Sequence, residues 1–163
     1  MSTEAPLAWP RAQLGNVARL RAIAAARPHL AYRERVIEAP FDVVWSVFGD
    51  LENGVPRFDT YVRWIRIVAR DGENLELRAN SPLIGPAMRW RAIHREGWCV
   101  MRSFQGEVGM AADALDARRT RVAHFEGSRW LGALGRWWLS RTLTRELETL
   151  ARLCEEESAQ RRG

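Results

Sequence analysis

The stretch YRERVIEAPFDVVWSVFGDLEN, residues 32–53, changes its hydrophobic period half-way through. Its first seven residues, YRERVIE, alternate as a strand does, and Ala39-Pro40 ends that run. From Phe41 the pattern is helical: Val44, Trp45, Val47, Phe48 and Leu51 return at spacings that place them on one side of a helix. A strand turning straight into a helix leaves the strand in need of other partners.

Those partners are predicted downstream. After the loop GVPRFDT come six short strand segments, YVRWIRIVA, NLELRANS, MRWRAIH, WCVMRSF, EVGMAADAL and RTRVAHFEG. The links between them, DGE, PLIGP, REG, Gln105-Gly106 and DAR, are of hairpin length, so the run reads as an antiparallel meander. The segment LGALGRWWLSRTLTRELETLARLCEEE, residues 131–157, has the length and composition of a helix. The order is strand, helix, six strands, long helix. A sheet with an open apolar face needs a cover, and the terminal helix is the one element large enough. The expected fold is α+β: an antiparallel sheet of about seven strands wrapped around a long C-terminal helix, over residues 31–157.

Upstream, residues 1–30 differ in character. Pro6, Pro10 and Pro28 bracket QLGNVARLRAIAAAR, in which Leu14, Val17, Leu20 and Ala24 follow helical spacing. This predicts an N-terminal extension with a short amphipathic helix outside the main fold. Residues 158–163 are expected to be a disordered tail.

A chain of 163 residues, 47% hydrophobic and 28% charged, suits one domain with a sizeable core. No run of about 18 uncharged apolar residues occurs, and the first residues lack a signal-peptide layout, so a soluble cytoplasmic protein is expected. Cys99 and Cys154 fit neither a disulfide framework nor a metal motif and read as buried thiols. All 25 basic residues are arginine, for a net charge of +5, yet they are scattered among 20 acids with no like-charge block. Together with the lack of a nucleic-acid motif, this ranks nucleic acid last among partners.

The residues IEAPFDVVWSVFGDLENGVPRF, and RTRVAHFEG followed by a terminal amphipathic helix, resemble the START-like helix-grip (SRPBCC) superfamily in its polyketide cyclase/dehydrase and lipid-transport branch. The likeness covers about residues 31–155. It implies the helix-grip fold with a cavity between sheet and helix, but no catalytic signature, because that fold carries many functions.

Strand parity then proposes a cavity lining. In the MRWRAIH/WCVMRSF hairpin, Met88, Trp90, Ala92 and His94 share a face with Cys99, Met101 and Ser103. The opposite face holds Arg89, Arg91, Arg95 and Arg102. Unpaired buried arginines would be prohibitive, so the Met/Trp face points in. In the last hairpin, Asp113 is grouped with Thr120, Val122, His124 and Glu126, and the resemblance turns that face inward. The expected apolar lining is Phe58, Trp90, Met101, Val122 and Leu143; the expected polar groups are His94, Ser103, Asp113, His124 and Glu126. Apolar walls with sparse polar groups suit a small hydrophobic ligand.

Two functions follow, both open at this level. One is binding or carriage of a hydrophobic molecule, lipid or polyketide-like. The other is a polyketide aromatase/cyclase or dehydratase, with His124, Asp113 or His94 moving protons. No P-loop, nucleophile elbow, dinucleotide glycine pattern or HExxH is present, so no cofactor and no metal are expected.

On the terminal helix, Leu139, Leu143, Leu147, Leu150 and Cys154 form one stripe, while Trp130, Leu131, Leu134, Trp137 and Trp138 gather nearly opposite. The second stripe calls for its own cover. The N-terminal helix comes first, then a homodimer partner, then weak contact with an anionic membrane surface, unless Gly132 and Gly135 kink the helix and turn the indoles to the cavity mouth.

Overall fold

The computed structural model describes residues 14–81 and 85–162; residues 1–13 of the expected extension and 82–84 of the PLIGP link lie outside the described residues. In chain order the elements are α1 Asn16–Ala25, β1 Leu30–Ile37, α2 Phe41–Phe48, β2 Trp64–Asp71, β3 Asn74–Ser81, β4 Gly85–Arg95, β5 Trp98–Arg102, β6 Glu107–Ala114, β7 Thr120–Gly127 and α3 Ala133–Gln160. The seven strands form one antiparallel sheet in the order β1-β7-β6-β5-β4-β3-β2. Each consecutive hairpin adds a neighbour, and β1 returns to pair with β7. The period change at Ala39-Pro40 is therefore the point where the chain leaves the sheet edge. This is the α+β helix-grip arrangement.

One face of the sheet carries the main core. Ile37, Val44, Phe48, Leu75, Leu77, Met101 and Val122 meet Leu147, Leu150 and Cys154 of α3 there. Fully burying each large aliphatic contributes about 1.5–3 kcal/mol, so this stripe fixes α3 against the sheet. Cys99 and Cys154 are buried free thiols, pushed up to about 12 by burial. At Glu96-Gly97 the β4–β5 hairpin turns with Gly97 at φ +70°, where a Cβ would stand 2.8 Å from the Ala112 carbonyl oxygen. Only glycine meets both demands without strain.

The outer face differs from expectation. α1 is not detached: Val17, Leu20 and Ala24 pack with Trp98, Val100, Ala111, Ala123 and Phe125 into a second core. Small residues on β6 admit the helix, and a Cβ on Gly109 would lie 2.5 Å from the Phe125 ring and 3.0 Å from Leu20 Cδ1. α1 thus covers the outer sheet face and is unavailable to the tryptophans of α3. Farther along the same face the arginines stand as expected. Arg91 lies opposite Glu76, while Arg95 pairs with Glu73 at 3.5 Å and Arg102 with Glu107 at 3.4 Å.

Asp113 also belongs to this outer face, which corrects its inward assignment. Ala114 pairs with Thr120, so the connection is the five residues 115–119. An odd connection pairs residues of equal parity, and cross-strand partners share a face. Met110 and Ala112 therefore accompany His124 and Val122, and Asp113 points the other way. There its two carboxylate oxygens accept the backbone N–H groups of Asn16 and Val17, at 2.9 Å each, and cap α1.

α3 is one continuous helix beginning after Gly132, so the glycines start it instead of kinking it. Leu143 and Leu150 are fully buried, whereas Trp137 and Trp138 are about half exposed and Trp130 and Leu134 are 82% and 80% exposed. The helix also extends into the expected tail, to Gln160: Ser158 is buried and Arg161 pairs with Asp42 at 3.2 Å. That ion pair and the Arg161 bond to Ser46 order the end.

Candidate functional site

Between the inner sheet face and the first turns of α3 lies a cavity of about 620 Å³. Ile65, Trp90, Met101 and Val108 from four strands wall it, with Tyr61 and Val62 from the loop before β2. Phe104, Trp130, Leu131 and Trp138 rim the opening. Trp138 leans on Tyr61 with ring centroids 5.1 Å apart, and the Tyr61 hydroxyl is 2.9 Å from Thr142 Oγ1. A volume within about 300–1,000 Å³ and apolar walls are usual for a small-molecule site.

Three carboxyl groups line the cavity: Glu107, which is paired with Arg27 and Arg102, and Asp59 and Glu126, which pair with no arginine among the described residues. Glu126 sits two residues beyond His124 on β7, so both project from the same face. His124 Nε2 is 3.7 Å from Glu126 Oε1, and His124 Nδ1 is 3.7 Å from Glu146 Oε2. Glu146 comes from α3, where it accepts the Thr60 N–H at 2.8 Å through Oε1. Asp59 Oδ1 accepts the N–H groups of Tyr61 and Val62 at 2.8 and 3.0 Å. Both ring nitrogens of His124 and Oε2 of Glu146 are buried without a hydrogen-bond partner among the described residues.

Burial dominates the protonation of this group. It pushes His124 down to about 3, Glu146 up to about 8 and Asp59 up to about 6; Glu126 is raised well above its ordinary value by burial and then by the charges of Asp59 and Glu146. The two N–H donors on Asp59 oppose its rise. Burial thus favours the neutral imidazole and the protonated forms of Glu126 and Glu146, while the two N–H donors on Asp59 favour its ionised form. A neutral imidazole has one donor and one acceptor nitrogen, and here each faces one glutamate at 3.7 Å, longer than a hydrogen bond. No arginine among the described residues pairs with Asp59, Glu126 or Glu146.

His124, Glu126 and Glu146 are metal-ligating residue types, with one donor atom each within 4.8 Å of the others. Bonds of about 2.0–2.2 Å to a tetrahedral ion bring donors to about 3.4 Å, and here the two imidazole nitrogens face different carboxyls.

Trp90, Met101 and Glu126 stand on the cavity wall. His124 lies behind Glu126, fully buried. Phe58, Val122 and Leu143 are buried in the packed core and do not reach the cavity wall, because neighbours in the inner layer cover them. His94 is drawn elsewhere: its ring stacks on Trp45 at 5.1 Å and its Nε2 is 2.9 Å from the Gly49 carbonyl oxygen, closing the end of α2. The Ser103 hydroxyl accepts the N–H groups of Gln105 and Gly106, at 3.2 Å each, and holds the turn under the rim. Asp113 is on the far side of the sheet.

Asp59, Tyr61 and Glu146 were not anticipated from the sequence, and Trp138 reaches the cavity rim, the alternative left open for it, without a kink in α3. Glu146 had a visible signal, since it lies three residues after Leu143 and four before Leu150, on the buried stripe itself. Asp59 had none, being one polar residue in a loop.

No protein-family model and no curated protein matches this chain. Solved structures do. The Zhui aromatase/cyclase from Streptomyces sp. R1128 is 18% identical, with a TM-score of 0.56 over 83% of this chain and 97% of that one. A START superfamily protein from Mycobacterium smegmatis is 16% identical, with a TM-score of 0.56 over 81% and 98%. A protein of Thermus thermophilus is 20% identical, with a TM-score of 0.56 over 82% and 99%. At these identities the likeness establishes a START-like SRPBCC fold, with which the expected resemblance agrees.

Proposed function

We propose that this START-like helix-grip protein binds a small hydrophobic molecule, lipid or polyketide-like, in the cavity between its sheet and α3. The observation that carries this reading is the cavity of about 620 Å³ walled by Ile65, Trp90, Met101 and Val108 and rimmed by aromatic rings. Burying a ligand there removes apolar surface from water on both partners. The neutral apolar probe N-phenyl-1-naphthylamine should gain fluorescence on binding, and Trp90→Ala should change its affinity. No fluorescence gain with the intact protein would overturn the reading.

A second reading has its own observation. Glu126, which burial favours in its protonated form, faces the cavity with His124 and Glu146 behind it, each step 3.7 Å, an arrangement suited to supplying or withdrawing a proton at a ligand carbonyl once the contacts tighten. That arrangement supports dehydratase chemistry or the aromatase/cyclase chemistry named for the Streptomyces neighbour. Here Glu126 contacts the substrate, and His124 passes the proton. His124→Ala retaining full activity on a substrate turned over by this protein would remove the path.

The rim supports a membrane-facing role for the carrier. Residues 127–145 contain Arg129, Arg136, Arg141 and Arg145 and no acid, and the same stretch exposes Leu134 and Trp137 along with Trp130, which rims the cavity. Exposed indoles and leucines among uncompensated arginines suit the interface of an anionic bilayer. Arg141 lies over the Trp137 ring at 4.3 Å, presenting cation and ring together. The occupant proposed for this rim is an anionic membrane surface.

A further inference from the structure

The inner end of the cavity is acidic without a cation. Asp59 and Glu126 line it, Glu146 stands behind, and each is more than nine-tenths buried. Every ion pair involving an arginine among the described residues engages other acids: Glu34, Glu73, Glu107, Asp42, Asp116, Glu156 and Glu157. The sequence holds no lysine that could reach in. A buried carboxylate without a counter-charge is costly, and in a folded protein it is paired, protonated or bound to a cation.

A second observation separates this cluster from a mere gathering of acids. The Glu126 carboxyl, 6% exposed, lies on the cavity wall and makes no hydrogen bond among the described residues. Glu146 Oε2 and both nitrogens of His124 are likewise unpartnered and aimed into the same cluster. Oδ1 of Asp59 receives two backbone N–H groups, which favour its ionised form. The Asp59 carboxylate, and Glu126 once it gives up its proton, are acceptors that a donor carrying positive charge would satisfy. The aromatic rings of Tyr61, Trp90 and Trp138 around the same space are also favourable to a cation.

Resting on the ligand-binding reading above, we infer that the ligand is an amphipathic amine, its apolar body against Trp90, Met101 and Leu139 and its ammonium between Asp59 and Glu126. The ammonium donates to both carboxylates, and Glu126 gives up its proton as it does so, passing it outward or through His124. A fatty acid in the same orientation would set carboxylate against carboxylate. A neutral alcohol would fill the apolar space and leave the acids uncompensated.

The test uses the full chain and three ligands of one chain length, dodecylamine, dodecanol and dodecanoate, each displacing N-phenyl-1-naphthylamine at neutral pH. The expected result is an amine preference of at least ~10-fold over the alcohol, with dodecanoate weakest. Glu126→Gln and Asp59→Asn, checked for an intact fold by circular dichroism, should shrink the amine-to-alcohol ratio to below about threefold. If dodecanol or dodecanoate binds as well as the amine, the inference is overturned while the ligand-binding reading stands. An unchanged ratio in both variants also overturns it, since the preference then arises elsewhere. If the intact protein takes up neither the fluorescent probe nor any of the three, the ligand-binding reading itself fails and the inference with it.

Discussion

His124 Nε2 stands 3.7 Å from Oε1 of Glu126, its neighbour at i+2 on the inner face of β7. The imidazole is fully buried and Glu126 is on the cavity wall, so whatever meets the acid is sensed by the ring behind it. Burial favours the neutral imidazole and the protonated acid, and Glu146 faces the other ring nitrogen at 3.7 Å.

Stability should fall as pH rises from about 5 to about 8. Glu146 titrates at about 8 in the folded protein against an ordinary 4.5. Between these values the folded state holds a proton that the unfolded chain has released, so rising pH favours unfolding by up to about 1.4 kcal/mol per pH unit. Asp59 and Glu126, also raised, add to the same limb. Glu146→Gln keeps an acceptor for the Thr60 N–H and cannot ionise. Thermal unfolding should show the variant losing less stability than the wild type between about pH 5 and about pH 8.5. Parallel losses in the two proteins would refute the assignment.

His124 acts on the acid side. Its folded value of about 3 lies below the ordinary 6.5, so the unfolded chain gains a proton first and stability falls as pH drops through that window. His124→Gln, a neutral side chain of similar reach, should flatten the limb below about pH 6 in chemical denaturation. Glu126 and Glu146 face the ring on either side, and their protonation leaves no charge to offset its own.

Asp113→Ala should destabilise the protein by about 1–2 kcal/mol, the worth of a charged cap on two backbone N–H groups. Hydrogen exchange should increase in α1 and the outer faces of β6 and β7, where the second core lies. Affinity for N-phenyl-1-naphthylamine should stay within about twofold of wild type, because Asp113 is separated from the cavity by the sheet. A large loss of probe binding would return Asp113 to the ligand site.

The rim can be tested with vesicles. The intact protein should sediment with phosphatidylglycerol vesicles and not with phosphatidylcholine vesicles, and added salt should release it. Leu134→Ser with Trp137→Ser should reduce vesicle binding by ~10-fold or more, since two large apolar side chains leave the interface. A concentration-dependent dimer that the same substitutions dissociate, without vesicle binding, would assign the rim to a second copy of the chain.

The sequence by itself determined the order and period of the elements. The switch at Ala39-Pro40, the meander of short strands and the Leu139–Cys154 stripe are local patterns, set by which side chains must leave water, and the fold built from them is the one observed. The inward set of the β4–β5 hairpin was legible for the same reason, since arginines cannot be buried unpaired. What tertiary structure alone decided was register and approach. Whether 115–119 is an odd connection turned Asp113 from the cavity to the outer face, and period-two patterning cannot count loop residues that could as well be paired. The resting place of α1 depended on small residues, Gly109, Ala111 and Ala123, from separate strands meeting in one plane. The acidic cluster joins a loop, the last strand and the terminal helix, Asp59, Glu126 and Glu146, far apart in the chain. No local pattern links such residues; only the closing of α3 onto the sheet brings their carboxyls together away from water.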